Sequence, residues 1–102
     1  AEAAAVKLVD EVAAYVVALV RATRTAPDLA IGASPRAAVQ LARAARAEAA
    51  LSGRDYVLPD DVKALAAPVL RHRVMLSPAA EIEGRRADQV VAALVAAVEA
   101  PR

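Results

Sequence analysis

The chain of 102 residues contains no cysteine, phenylalanine or tryptophan, and it has only two tyrosines. The absence of cysteine excludes disulfides and thiolate metal sites, and it agrees with a reducing compartment. Thirteen basic and 12 acidic residues leave a net charge of +1, which provides no overall attraction to nucleic acid or to an anionic membrane. Charged residues interrupt every apolar run before it reaches the length of a membrane span, and no signal peptide is visible. We therefore predict a cytoplasmic protein.

Alanine and valine supply most of the hydrophobic residues, which make up 59% of the chain. Alanine is the strongest helix former, and its small side chain lets helices approach closely around a thin core. A chain of this length is expected to form one small domain. We therefore predict that residues 1–102 form a single all-α domain. Because the chain opens at Ala1, without an initiator methionine, we also expect it to be part of a longer protein.

Hydrophobic periodicity and helix-end signals predict four helices, over residues 2–23, 35–51, 59–73 and 87–99, with a kink in the third after residue 65 caused by Pro68. The first helix is apolar around most of its circumference, which places it at the centre of the bundle. In the second helix we expect Val39 and Leu51 to contribute to the buried side. The short extended runs 56–58 and 74–76 are expected to form a minor two-stranded element, and residues 79–84 a loop.

The segment 31–37, IGASPRA, places a basic residue at the start of the second helix. Ser34 is the predicted N-cap and Pro35 the first helical residue, so Arg36 is the second. The partial positive charge of a helix N-terminus disfavours a cation by a few tenths of a kcal/mol. An anion such as phosphate at that helix end would explain the placement. The alternative is a solvated arginine whose charged group turns away from the helix end.

Two other clusters of polar residues have ordinary structural explanations. Asp60 and Asp61 form a carboxylate pair that suits acid–base catalysis or metal binding, but acids in a first helical turn also stabilise the helix dipole. His72 has no neighbouring nucleophile and no further metal ligands, so we interpret it as a structural residue near a helix end. A phosphate or nucleic-acid patch built on Arg71, His72 and Arg73 is the alternative. We predict no metal site.

Six short motifs occur along the chain: YVVALVRATR (15–24), GASPRA (32–37), RAARA (43–47), GRDYVLPDDV (53–62), VLRHRV (69–74) and AEIEG (80–84). In this order and spacing they resemble the C-terminal lid domain of MoxR-type AAA+ ATPases, and the resemblance extends from about residue 6 to residue 102. It implies a small four-helix lid bundle that works with an N-terminal ATPase domain. The chain contains no GxxxxGK[ST] motif, so we expect it not to hydrolyse ATP alone, whereas the parent protein is expected to be an ATPase.

The resemblance also implies roles for particular residues and partners. In this family the arginine of GASPR, Arg36 here, is the sensor 2 residue, which reaches the γ-phosphate of ATP bound to the larger domain. Arg36 is thereby implied in catalysis and, together with Ala33, Ser34 and Pro35, in nucleotide binding. The implied cofactor of the full-length protein is ATP with Mg²⁺, with none held tightly by this chain.

The family further implies a ring of subunits, commonly a hexamer, and chaperone-like work on client proteins, including some with von Willebrand factor A domains. Separation from the ATPase domain should leave an apolar patch exposed on the lid. A second hypothesis is a stand-alone helical interaction module, such as a DNA-binding bundle that uses Arg71, Arg73, Arg85 and Arg86. The near-neutral charge and the scarcity of aromatic residues argue against nucleic acid as a partner.

Overall fold

The computed structural model describes residues 5–101 of the chain. Within them, helices and strands follow in the order α1 (Asp10–Thr25), β1 (Leu29–Ile31), α2 (Pro35–Leu51), α3 (Pro59–Leu70), β2 (Met75–Leu76), α4 (Pro78–Ile82) and α5 (Ala87–Ala97). The predicted fold class, a small all-α bundle with a minor two-stranded element, is confirmed, with five helices in residues 5–101 where four were predicted. No helix in residues 5–101 is long and apolar enough to cross a membrane.

Helix α1 lies at the centre of the bundle, where it contacts α2, α3, α5 and β1. The most extensive packing joins α2 to α3. On α2 the buried residues recur at every fourth position: Ala37, Leu41, Ala45 and Ala49. Three alanines in this row let the neighbouring helices approach closely, so the core is thin and built from small side chains.

The prediction that Val39 and Leu51 are buried is wrong, since they are 52% and 86% exposed. Each lies two positions beyond a member of the buried row, Ala37 and Ala49 respectively. Two helical positions correspond to about 200° of rotation, which turns a side chain to the opposite side of the helix. Hydrophobicity alone therefore did not predict correctly which residues of α2 face the core.

Helix α1 begins at Asp10, whereas the prediction began it at residue 2, which lies outside the described residues. The backbone of Lys7 is paired with the loop before α3, because its N–H donates to Asp55 C=O at 2.8 Å and its C=O accepts from Val57 N–H at 2.9 Å. Asp10 and Glu11 occupy the first turn of α1, where acids complement the helix dipole. Because the backbone of Lys7 is paired with the loop before α3, helix α1 begins only after Lys7, at Asp10.

The predicted pairing of residues 56–58 with 74–76 is also wrong. Met75–Leu76 pairs antiparallel with Leu29–Ile31, so that Leu29 lies opposite Leu76 and Ile31 opposite Met75. Tyr56 forms an isolated parallel bridge with Lys7 instead. The small sheet therefore holds the segment that leads into α2.

Helix α3 continues past Pro68 to Leu70, and residues 71–73 form a turn rather than more helix. A proline inside a helix removes the hydrogen bond to the carbonyl four residues earlier, here that of Ala64. Ala64 and Pro68 both lie on the exposed side of α3, and the helix ends two residues later. The loss is therefore confined to one solvent-facing carbonyl in the last turns.

The segment predicted as a loop over residues 79–84 begins with the short helix α4. Ser77 caps this helix, because its Oγ accepts a hydrogen bond from Ala80 N–H at 3.2 Å, and Pro78 occupies the first helical position. This is the serine–proline signal that predicts the start of α2, and it also marks a helix here.

The loop before α3 is held by an ion pair between Arg54 and Asp61. Arg54 Nη1 and Nη2 lie 2.6 Å and 2.7 Å from the two carboxylate oxygens of Asp61, which also accepts Leu58 N–H at 2.7 Å. Hydrogen bonding from Arg54, and then from the Leu58 backbone, lowers the pKa of Asp61 despite its burial. Asp61 is therefore a structural carboxylate at a helix N-terminus, whereas Asp60 is exposed.

Replacement of Asp61 by Asn should lower the free energy of unfolding by about 2 kcal/mol at pH 7, since it removes hydrogen bonds to a charged partner. Because the pKa of Asp61 is lowered in the folded chain, its stabilising effect is present above about pH 4 and is lost as the pH falls further. Urea unfolding between pH 3 and pH 7 measures both effects. Asp60→Asn is the matched control and should cost about 0.5 kcal/mol or less. Equal losses in the two variants would contradict the assignment.

Candidate functional site

The start of α2 carries the candidate residues that the sequence predicts. Ser34 is the N-cap with extended backbone, Pro35 is the first helical residue and Arg36 the second, as expected. These three residues are exposed, whereas Ala33 is fully buried. No side chain caps α2, so the Ser34 hydroxyl is not engaged at the helix end.

The electrostatic setting of this helix end differs from that of the other described helices. Each of α1, α3, α4 and α5 has at least one acidic residue in its first turn, whereas α2 has none. No ion pair joins Arg36 to any residue in the range 5–101. An exposed guanidinium therefore adds to the positive end of the helix dipole, an arrangement that attracts an anion.

A buried hydroxyl anchors the segment that precedes α2 to the end of α1. Thr23 is 1% exposed, and its Oγ1 donates to Val20 C=O at 2.6 Å while it accepts Ala33 N–H at 2.8 Å. One hydroxyl thus forms hydrogen bonds both to the Val20 carbonyl in α1 and to the Ala33 N–H in the segment that follows. Ala33 is thereby held against the last turns of α1.

Close backbone contact at Gly32 completes this anchor. A Cβ atom built at Gly32 would lie 2.6 Å from the Cα and N atoms of Arg24 and from the carbonyl carbon of Thr23. Atoms of a folded backbone do not tolerate such distances, so only glycine fits here without displacement of the segment. Thr23 and Gly32 both lie within the quoted motifs. Their contact depends on the path of the loop between them, so the sequence alone did not predict it.

A groove of about 230 Å³ lies beside this site, between α1 and the start of α2. Its lining consists of Val17, Val20, Arg21, Arg24, Pro35 and Ala38. Arg21 and Arg24 are exposed, and no acidic residue lines the groove. The positive character of the α2 start therefore continues along the adjacent face of α1.

The remaining candidates are not brought to this site. Among residues 5–101 no group of three or more His, Cys, Asp or Glu residues is placed to hold a metal ion. Residues 71–73 form an exposed turn after α3. Arg85 Nη1 lies 2.7 Å from Asp28 Oδ2, and Arg86 Nε lies 3.4 Å from Asp88 Oδ1. Two of the four arginines that the DNA-binding hypothesis invokes are therefore paired with acids.

Comparisons with known proteins agree with the motifs. The family model described as AAA lid domain matches residues 21–97. The chain is 44% identical over 92 residues to the uncharacterized protein YeaC of Bacillus subtilis (strain 168), which covers 90% of this chain and 29% of that protein. It is 46% identical over 72 residues to chaperone MoxR1 of Mycobacterium tuberculosis, and this alignment covers 62% of this chain and 19% of that protein.

A crystal structure of a protein from Cytophaga hutchinsonii ATCC 33406, assigned as an ATPase, has the same fold. The TM-score is 0.91 at 35% sequence identity, over 98% of this chain and 33% of that chain. The chain therefore belongs to the AAA lid domain family, and within it to the C-terminal lid domains of MoxR-type AAA+ ATPases. It spans between 19% and 33% of the length of these three similar proteins.

Replacement of Gly32 by Ala should destabilise the 102-residue chain by about 3 kcal/mol, because the added methyl group meets backbone atoms rather than a movable side chain. The reference variant is Gly53→Ala, where nothing lies within 4 Å and only the left-handed backbone opposes alanine. That change should cost about 1 kcal/mol. Chemical unfolding of both variants measures the difference. A loss at Gly32 no larger than that at Gly53 would show that the contact is not tight.

Proposed function

We propose that this chain is the nucleotide-sensing lid of a longer ATPase, and that Arg36 contacts the terminal phosphate of ATP bound to an N-terminal ATPase domain. The observation that carries the proposal is the exposed Arg36 at the N-terminus of α2, a helix end that lacks the acidic residue found in the first turn of each other described helix. The position of this arginine in GASPR, the sensor 2 motif of the family, supports the same role.

Physical chemistry supports Arg36 as a phosphate-binding and catalytic residue. A guanidinium stays charged at all relevant pH values and presents several N–H donors that match phosphate oxygens. In phosphoryl transfer, such a group stabilises the negative charge on the transferred phosphoryl group. The proposed substrate is ATP with Mg²⁺, and the ligands of the metal and the phosphate-binding loop are assigned to the ATPase domain.

The neighbouring residues contribute in different ways under this proposal. Ser34 is exposed and its hydroxyl is free of capping, so it is available to donate to the nucleotide. Pro35 is also exposed and starts the helix with a fixed φ, which orients the turn that carries Arg36. Ala33 is fully buried, so it contributes through the backbone position of the segment rather than by side-chain contact.

Loss of the terminal phosphate would deprive Arg36 of its anionic partner and would thereby change the preferred position of the lid. A ligand shifts a conformational equilibrium only by its differential affinity for the two states, and a salt-bridged phosphate supplies such a difference. We propose that this coupling drives chaperone-like remodelling of client proteins in a cytoplasmic ring of subunits, commonly a hexamer. The similarity to a protein named chaperone MoxR1 supports the chaperone role, and client proteins with von Willebrand factor A domains belong to the same proposal.

An exposed apolar surface next to the site fits the ATPase domain as the partner of the lid. Ile31 and Met75 lie opposite each other on the two strands, and each is more than half exposed. Ile31 directly precedes the segment that carries Gly32 and Arg36. Exposed apolar residues were expected on a lid separated from its ATPase domain, and we assign these two to that interface.

The proposal is tested by Arg36→Ala in the full-length ATPase that carries this chain. Turnover of ATP should fall by about 100-fold or more, because a charged donor to the reacting phosphate is removed. Arg43→Ala is the matched control, since Arg43 lies on the same helix and the same side, seven residues further on, and is also exposed. Circular dichroism should show an intact lid in both variants. Unchanged turnover in a folded Arg36→Ala protein would refute the assignment.

A further inference from the structure

We infer that Thr23 is a positioning residue for Arg36: its buried hydroxyl holds Ala33 and thereby sets where helix α2 starts and where the guanidinium of Arg36 stands. The inference rests on the proposed function of Arg36 at a phosphate. It assigns a functional role to a side chain that is remote from solvent and that cannot itself touch a nucleotide in the described conformation.

The link from Thr23 to Arg36 is short and stiff. Thr23 Oγ1 accepts Ala33 N–H at 2.8 Å, and Ala33 is followed by the N-cap Ser34 and by Pro35, whose φ is fixed by its ring. Only two residues, Ser34 and Pro35, therefore lie between Ala33 and Arg36. A shift of Ala33 is passed to the first turn of α2 with little flexible chain to absorb it.

The hydroxyl is required for its hydrogen bonds as well as for its volume. It donates to Val20 C=O at 2.6 Å, so both its donor and an acceptor site are used within a buried environment. If the hydroxyl were absent, the buried Ala33 N–H would lose the acceptor that Thr23 provides. A buried donor without a hydrogen bond destabilises the fold, unless the segment moves so that the N–H can bond to water. Valine has the same shape as threonine but cannot provide either bond.

Gly32 opposes movement from the other direction. Its backbone lies so close to Arg24 and Thr23 that not even a Cβ atom would fit between them, so the segment has little room to move nearer to α1. The Thr23 hydroxyl prevents the segment from moving away. Together these contacts fix the segment at one distance from the end of α1, and they couple the orientation of α1 to the site at Arg36.

Thr25 offers a matched comparison within the same helix. Its Oγ1 contacts Ala22 C=O at 3.5 Å, the same three-residue spacing as Thr23 to Val20, but Thr25 is exposed. The recorded hydrogen bonds of Thr25 do not reach the segment before α2. Thr25→Val therefore removes a hydroxyl from the last turn of α1 without release of Ala33.

The test compares Thr23→Val, Thr23→Ser and Thr25→Val in the full-length ATPase. Thr23→Val should lower the kcat for ATP by about tenfold or more, because displacement of a reacting or charge-stabilising group by about 1 Å costs up to about 100-fold. Thr23→Ser should retain most of the activity, and Thr25→Val all of it. The affinity for ADP should be unchanged in Thr25→Val and should fall much less than kcat in Thr23→Val, because ADP lacks the phosphate that Arg36 is proposed to contact. Amide hydrogen exchange should be faster at Ala33 in Thr23→Val alone.

A double-mutant comparison separates positioning of Arg36 from a general structural effect. If Thr23 acts through Arg36, Thr23→Val should lower kcat much less in an Arg36→Lys background than in the native background. If Thr23→Val does not fold, Thr23→Cys replaces it, since a thiol forms only weak hydrogen bonds and should give a loss of activity greater than that of Thr23→Ser.

The outcomes separate this inference from the proposed function. A folded Thr23→Val protein with the kcat of Thr25→Val, or with an equal loss of kcat in both Arg36 backgrounds, would overturn the role of Thr23. In that case Arg36→Ala would still lower turnover, and the proposed function would stand. If Arg36→Ala leaves turnover unchanged, the proposed function fails, and the inference about Thr23 fails with it.

Discussion

Close packing along one side of α2 determines the architecture of this lid. The buried row of Ala37, Leu41, Ala45 and Ala49 brings α2 against α3 and α1 with few large side chains between them. Closely packed helices tolerate little change in volume, so the position of each helix end is set by its neighbours. The chain can dispense with phenylalanine and tryptophan because valine, leucine and alanine side chains fill most of its core.

The same packing has an electrostatic consequence at the start of α2. The buried row begins at Ala37, so Arg36, one residue earlier, is turned outward. Acids stabilise the starts of the other described helices, whereas the first turn of α2 has no acid and keeps its positive potential. A positive charge at a helix N-terminus destabilises an isolated domain and stabilises its complex with an anion. Such a difference in free energy is a general way to make a domain respond to its ligand.

The sequence predicted those features that depend on local chemistry. The bounds of α2 and the place of Arg36 in its first turn follow from Ser34, Pro35 and alanine propensity, and the structure confirms them. The start of α1 and the partner of Met75–Leu76 were mispredicted, because they depend on pairing with segments distant in the chain. The hydrogen bond from Ala33 to Thr23 joins residues ten positions apart across a loop, so no periodic pattern in the sequence predicts it. The role of Thr23 at the site is therefore a proposal that the motifs did not contain, whereas the proposed phosphate contact of Arg36 was already implied by the resemblance of GASPR to the family motif.

The pairing of Lys7 with the loop before α3 has a mechanical consequence for the lid. Lys7 is held by two backbone hydrogen bonds, one from its N–H to Asp55 and one to its C=O from Val57, in a parallel arrangement. The Arg54–Asp61 ion pair fixes that loop to α3 in turn. A pull along the chain at residues 5–9 would load both hydrogen bonds together, as shear, instead of opening them one after the other. Part of the load would therefore pass through this loop to α3, in addition to the part that follows the chain into α1.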